Sequence, residues 1–292
     1  MFGFLLKKNF WDTWDNLWHV VVLNMFMNLI VCICFSAYLF GVTRIPLSFG
    51  FKTLIGMVAI FLFFGIISMF NFAECDNYKS IANYNKATFK DYFNKIGKYW
   101  KDGMLFGFIC AAIFLGAYIS FPYYFHIWKP GTTSDGTPIQ GEVWGLILAI
   151  LVFWFIFMVI LLLQWVVPVK SLFKVNFRKA LKKSLIILLD NMGFSICLLL
   201  WNIVLLFLSV FTLGLVPGSI GIPLSAVNAL KLRLLKYDYI EQMAAMGEEV
   251  KRIPWDELLQ QDRETLGPRT LKEFFFPWKD SESKKSNKDL SN

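Results

Sequence analysis

Hydrophobic positions along the chain fall into six long runs separated by polar connections, at residues 17–40, 51–73, 103–125, 143–167, 185–211 and 217–235. Each approaches or exceeds the roughly 20 residues a helix needs to cross a hydrocarbon core of about 30 Å. The last run contains Pro217 and Pro223 and follows a Gly214, Pro217, Gly218 turn, which leaves a five-span arrangement open, with this segment re-entering instead of crossing. The pattern predicts an all-α, polytopic membrane bundle of about six helices over residues 1–235, followed by a tail, 236–292, of soluble-like composition. The first run lacks a small-residue cleavage site, so it reads as an anchor and not a removed leader.

Composition agrees with lipid as the solvent. Of 292 residues, 57% are hydrophobic and 17% charged, against about 45–50% and about 25% in soluble domains. The net charge of +8 is uneven. Residues 1–235 carry 19 Lys/Arg and 9 Asp/Glu, whereas 236–292 carry 10 and 12. Because the lysines cluster beside apolar runs, anionic lipid is the expected partner and nucleic acid is not.

Charge asymmetry orients the spans. Lys7 and Lys8 precede the first run, six lysines from Lys79 to Lys101 fill the second connection, and Lys170 to Lys183 fill the fourth. The alternate connections hold only Arg44 with Lys52, then Lys129. Since positive residues stay cytoplasmic during insertion, both termini are expected in the cytoplasm.

Two leads into outward spans echo each other. Phe89-Lys90 matches Phe177-Arg178, and Asp102-Gly103-Met104 matches Asp190-Asn191-Met192, with a related Asp15-Asn16-Leu17 before the first span. Either the chain is built from three outward-and-back hairpins, or helices entering from one side share an acidic start that satisfies free amide donors. In 89–100 the aromatic residues follow helical spacing. The lead reads as an interfacial helix, with Lys90, Lys95, Lys98 and Lys101 as candidate lipid contacts; a protein-docking surface is the alternative.

Polar residues inside the runs are amides. Asn24 and Asn28 share one helix face, and Asn71, Gln164, Asn202 and Asn228 lie further on. Asn24, Asn28, Asn202 and Asn228 are candidates for interhelical hydrogen bonds or for a polar path. No Asp, Glu, Lys or Arg falls at membrane-centre depth; the acids nearest the spans are read as Asp15, Asp102 and Asp190, which disfavours proton coupling. Gly103, Gly107 and Ala111, and then Gly221, Ser225 and Ala229, form four-residue series suited to close helix approach. Five cysteines without repeated spacing suggest packing. His19 and His126 belong to opposite mouths, and no phosphate loop, zinc motif or serine elbow is present. No catalytic residue, metal or cofactor is expected.

In the tail, residues 237–250 have helical spacing, and Pro254 can open a second helix that ends at Gly267-Pro268. Phe274, Phe275, Phe276 and Trp278 then form an aromatic cluster, a candidate partner-docking element, ahead of a Ser/Lys/Asn-rich end expected to be disordered.

Phe10-Trp11, Asp15-Asn16-Leu17, Leu23-Asn24, the 89–95 lead with Leu105 and Gly107, Pro168, the 177–183 lead and the proline-interrupted stretch around Asn228 resemble the YesL-like family of bacterial integral membrane proteins. The resemblance covers roughly 10–235. It departs from the family in its long outer loop, its Phe40–Pro46 stretch and its tail. It implies a bacterial membrane protein often associated with carbohydrate ABC transport and no catalytic residues; the expected role is a non-enzymatic accessory or scaffold with a sugar-uptake permease as candidate partner, and the alternative is a facilitator or channel for a small solute.

Overall fold

The computed structural model describes all residues except 45–47, 133–137, 140, 250–251, 268 and 270–292. Its helices are α1 (Phe2–Asp15), α2 (Leu17–Arg44), α3 (Phe49–Ala73), α4 (Cys75–Ala82), α5 (Phe89–Trp128), α6 (Val143–Leu163), α7 (Val166–Phe173), α8 (Phe177–Asp190), α9 (Met192–Phe211), α10 (Gly218–Ala245), α11 (Trp255–Leu258) and α12 (Gln260–Leu266). Gly131–Thr132 pairs antiparallel with Pro138–Ile139 in the loop between α5 and α6. The protein is an all-α helical membrane bundle. Among the described residues five helical stretches, α2, α3, α5, α9 and α6–α7, contain windows apolar and long enough to cross a membrane. Between 11% and 28% of each window is buried inside the protein, so the remaining apolar surface needs lipid.

The chain divides into two compact units, residues 9–231 and residues 1–8 with 232–292. In the larger unit α3 packs on α5 through the glycine series. A Cβ at Gly103 would lie 2.4 Å from the Met69 Cα, and one at Gly107 would lie 2.4 Å from the Phe64 carbonyl oxygen. The backbones therefore touch, with Ala111 fully buried one turn further on. Aromatic contacts extend the seam, Phe72 against Phe106 at 5.4 Å and Phe64 against Phe114 at 5.6 Å between ring centres.

The lead expected as a separate interfacial helix is instead the first part of α5, which runs unbroken for 40 residues. At about 1.5 Å per residue it is near twice the hydrocarbon thickness, so its lead stands outside the span. The other two leads break before their spans. α1 and α8 each have 14 residues, end in aspartate, and are followed by an asparagine whose side chain donates to the carbonyl four residues back. Asn16 donates to Asp12 at 3.0 Å and Asn191 to Ile187 at 3.2 Å. Gly103 occupies the matching position in α5 and has no side-chain amide with which to make that bond.

The segment expected as a sixth span is the first half of α10, a helix outside the five apolar ones. The α9–α10 turn meets α2 at Asn24 and Asn28, sixteen residues short of Arg44, or about 24 Å along that helix. Ile220, Leu224, Val227 and Leu230 are buried in protein, and Lys231 returns to donate to the Ala82 carbonyl at 2.8 Å. Hydropathy alone does not separate such a protein-buried helix from a lipid-exposed one.

In the smaller unit, α10 continues through the stretch expected as an independent tail helix. The tail helix expected after Pro254 is divided into α11 and α12 at Leu259. Lys7 donates to the Gly267 carbonyl at 3.5 Å, and the Arg233 guanidinium lies over the Trp255 ring.

Candidate functional site

Three polar clusters are built into the larger unit. The first begins where α3 ends. Glu74, the residue between α3 and α4, is fully buried, and its carboxylate meets His19 Nε2 at 2.6 Å. Its other oxygen accepts from Asn77 Nδ2 at 2.9 Å, and Asn77 also holds both backbone groups of Thr88 at the start of α5. The Phe89 ring covers His19 at 4.7 Å. Burial pushes the Glu74 carboxyl above its ordinary range, with the hydrogen bond and charge of His19 and the amide of Asn77 acting in the opposite direction.

Three lysine–aspartate contacts adjoin it. Burial acts to raise the Asp76 carboxyl, but Lys95 at 3.0 Å and Lys174 at 3.3 Å outweigh it and hold the group below the usual carboxylate range. Lys170, 6% exposed, pairs with Asp102 and lies over the Tyr99 ring. The short helices α4 and α7 join here through Ser171, whose hydroxyl donates to the Cys75 carbonyl, and Lys79, which donates to the Leu172 carbonyl. Acidic and basic groups from α2, α4, α5 and α7 thus interlock at the lysine-rich end of the bundle.

The second cluster anchors α10. Asn228 is fully buried and its amide donates to Asn9 Oδ1 and Asp12 Oδ2, both at 2.8 Å. Asn9 in turn donates to Ser225 Oγ at 3.1 Å.

The third surrounds Asn24. Its amide donates to the carbonyls of Leu215 and Pro217, each at 2.9 Å, and its oxygen accepts from Ser219 Oγ and the Ile220 backbone N–H. Two donors and two acceptor positions exhaust a side-chain amide. Asn24 therefore caps the start of α10 from another helix. Gly218 makes the approach possible: its φ is +61°, and a Cβ there would lie 2.3 Å from Asn24 Nδ2. Asn28 adds one bond, to the Leu213 carbonyl at 2.9 Å. Asn24→Ala is expected to lower stability by about 2–4 kcal/mol, because buried groups of the turn lose their partners. Asn28→Ala, at a half-exposed site, should cost about 0.5–1 kcal/mol. Thermal unfolding in detergent compares them, and equal losses would contradict this assignment.

The other residues singled out from sequence are dispersed. Asn202 lies on α9, with its Oδ1 buried and without a donor among the described residues. Lys90, Lys98 and Lys101 are exposed beside the exposed rings of Phe89, Phe93 and Trp100, while Lys95 turns to Asp76. Phe274, Phe275, Phe276 and Trp278 lie outside the described residues. Among the described residues no group of three His, Cys, Asp or Glu side chains is placed to hold a metal ion.

Glu74 stands one residue beyond the second run and His19 at the mouth of the first, so hydropathy marks neither as buried. An available signal was that an acid just after one span and a histidine in the first turn of an adjacent antiparallel span share a depth. Fold and site together define a multi-pass helical membrane protein. No family model, curated protein or solved structure matches the chain.

Proposed function

We propose that this is a non-enzymatic protein of the bacterial cytoplasmic membrane, with both termini inside, acting as an accessory or scaffold component of a carbohydrate ABC transport system. The observation that carries the reading is the use made of the bundle's amides. Asn24, Asn28 and Asn228 are engaged in holding the α9–α10 hairpin against α1 and α2. A bundle fixed in this way suits presentation of a surface better than alternation between open and closed states. At the lysine-rich end, Lys90, Lys98 and Lys101 with Phe89, Phe93 and Trp100 offer ammonium groups for lipid phosphate and rings for a lipid or permease surface.

A facilitator or channel for a small solute is the second reading, favoured by the buried oxygens of Gln164 and Asn202, which accept no hydrogen bond among the described residues. Capture of partners from mild detergent, with and without alanine at Phe274, Phe275, Phe276 and Trp278, is expected to yield a membrane permease that the quadruple variant loses. Reconstituted vesicles should show no sugar flux. Flux that falls in Asn202→Leu, together with an unchanged partner set, would favour the facilitator.

A further inference from the structure

We propose that the exposed face of α8 binds one anionic diacyl phospholipid, its phosphodiester against the first two turns of the helix and its acyl chains against the last two. α8 is fixed on the bundle by Phe177, Ala180, Ile187 and Leu188, all buried, so its remaining side chains point outward in a set order. Arg178, Lys179, Lys182 and Lys183 come first, all exposed. Leu185, Ile186 and Leu189 follow, 45%, 65% and 63% exposed. At about 100° per residue the seven share less than half of the helix circumference, with cations and hydrocarbon succeeding each other along its length.

The cations select the sign of the occupant. None of the four pairs with a carboxylate among the described residues. The one acid of α8, Asp190, stands two turns beyond Lys183 and accepts from Asn191. Arg178 with Lys182, and Lys179 with Lys183, are like charges four residues apart, and all lie toward the helix end whose free N–H groups already carry positive charge. Lys183 has the Phe173 ring, 4.2 Å from its Nζ, which fixes it without neutralising it.

The hydrocarbon selects the class. A water-soluble phosphate would neutralise the cations and leave Leu185, Ile186 and Leu189 bare, whereas a neutral lipid would cover those three and leave the cations unmatched. An anionic phospholipid answers both in one molecule. The spacing agrees. The two groups are centred about six residues apart, or ~9 Å along the helix, comparable with the ~5–8 Å of headgroup layer outside each face of the hydrocarbon core. The order agrees too, since α9, one of the membrane-crossing stretches, opens at Met192 just beyond the apolar end of α8. This face lies on a different helix from Lys90, Lys98 and Lys101 and would serve a scaffold or a facilitator alike.

The test places the full chain in phosphatidylcholine nanodiscs with a trace of phosphatidylglycerol or phosphatidylcholine that carries a photoactivatable diazirine near the carbonyl of one acyl chain. Labelled peptides are mapped by mass spectrometry. Residues 185–189 should be labelled about 25-fold better by the anionic probe than by the neutral one, about five-fold for each of two cations that meet the phosphate. Lys182→Gln should cut that preference about five-fold, and glutamine at all four basic positions should remove it. Equal labelling by the two probes, which would leave the face to an acidic protein surface, would overturn the proposal. So would a preference that survives the fourfold variant, or loss of the label to millimolar inorganic phosphate at constant ionic strength, which would assign the cations to a free anion. Should the fourfold variant fail to assemble, the comparison of probes on the unaltered protein and Lys182→Gln decide.

Discussion

Replacing Glu74 with alanine is expected to cost the folded protein about 2–4 kcal/mol, the penalty of leaving buried hydrogen-bonding groups without their partner. Glu74 is fully buried and is the common partner of His19 on α2 and Asn77 on α4, while Asn77 fixes Thr88 at the head of α5. Without the carboxylate, His19 Nε2 and one Asn77 donor direction are stranded in a site sealed by Phe89. Three helices lose their common fastening at once. Glu74→Gln keeps the volume and one acceptor and should lose about 1–2 kcal/mol. Unfolding in mixed micelles measures both, and a loss below about 1 kcal/mol for the alanine variant would show that the cluster does not hold these helices together.

The same carboxyl sets a pH dependence whose sign follows from its direction of shift. Its folded value lies above the ordinary 4.5 because burial disfavours the charge. The folded state therefore holds this proton more tightly than the unfolded state, and stability from this group is fully present below about 4.5 and lost as pH rises through the folded value. The advantage of the unaltered protein over Glu74→Gln should accordingly be greatest in acid and shrink as pH rises through the folded value. Melting temperatures of the two proteins across pH 4–8 check this, and a difference that widens with pH would reverse the assignment. Asp76 acts oppositely: lowered by Lys95 and Lys174, its contribution is present above the ordinary carboxylate value and fades as acid protonates it.

Why some of this was legible and some not follows from the range over which each interaction acts. Apolar runs mark spans because every backbone group in lipid must be satisfied within the helix, so length and hydropathy carry the information locally. The glycine spacing of α5 was readable for the same reason: a repeat of four places small residues on one face. Its partner was not, since nothing in 103–111 points to Phe64 and Gly65. Asn24 illustrates the limit. Its position on an apolar helix announced a need for partners, yet three of the four are backbone groups some 190 residues away. A carbonyl at Leu215 looks like any other carbonyl in sequence. Glu74 and His19 failed differently. Each stood at the margin of a run, where a boundary error of two or three residues decides whether a charge counts as solvated or buried. α10 shows the converse limit, since apolar character alone does not say whether lipid or protein provides the cover, and here Ile220, Leu224, Val227 and Leu230 are buried in protein.

Gly107→Leu is expected to prevent assembly of the bundle, because the α3 backbone occupies the place where any side chain would begin. A Cβ at 107 would stand 2.4 Å from the Phe64 carbonyl oxygen, 2.5 Å from the Gly65 Cα and 2.6 Å from its nitrogen. These are main-chain atoms of a helix, so no rotamer change relieves the overlap and α3 must move as a body. Even Gly107→Ala should cost about 1–3 kcal/mol, the range for overpacking, despite alanine's better helix propensity. Gly116, further along α5, separates the two effects, since a Cβ there meets nothing within 4 Å. Gly116→Ala should be neutral or more stable by up to about 1 kcal/mol. Yield of monodisperse protein and thermal unfolding compare the three variants. If Gly107→Ala matched Gly116→Ala, the close α3–α5 approach would not be the contact that holds the bundle, since backbone overlap and propensity have opposite signs at 107 and only propensity acts at 116.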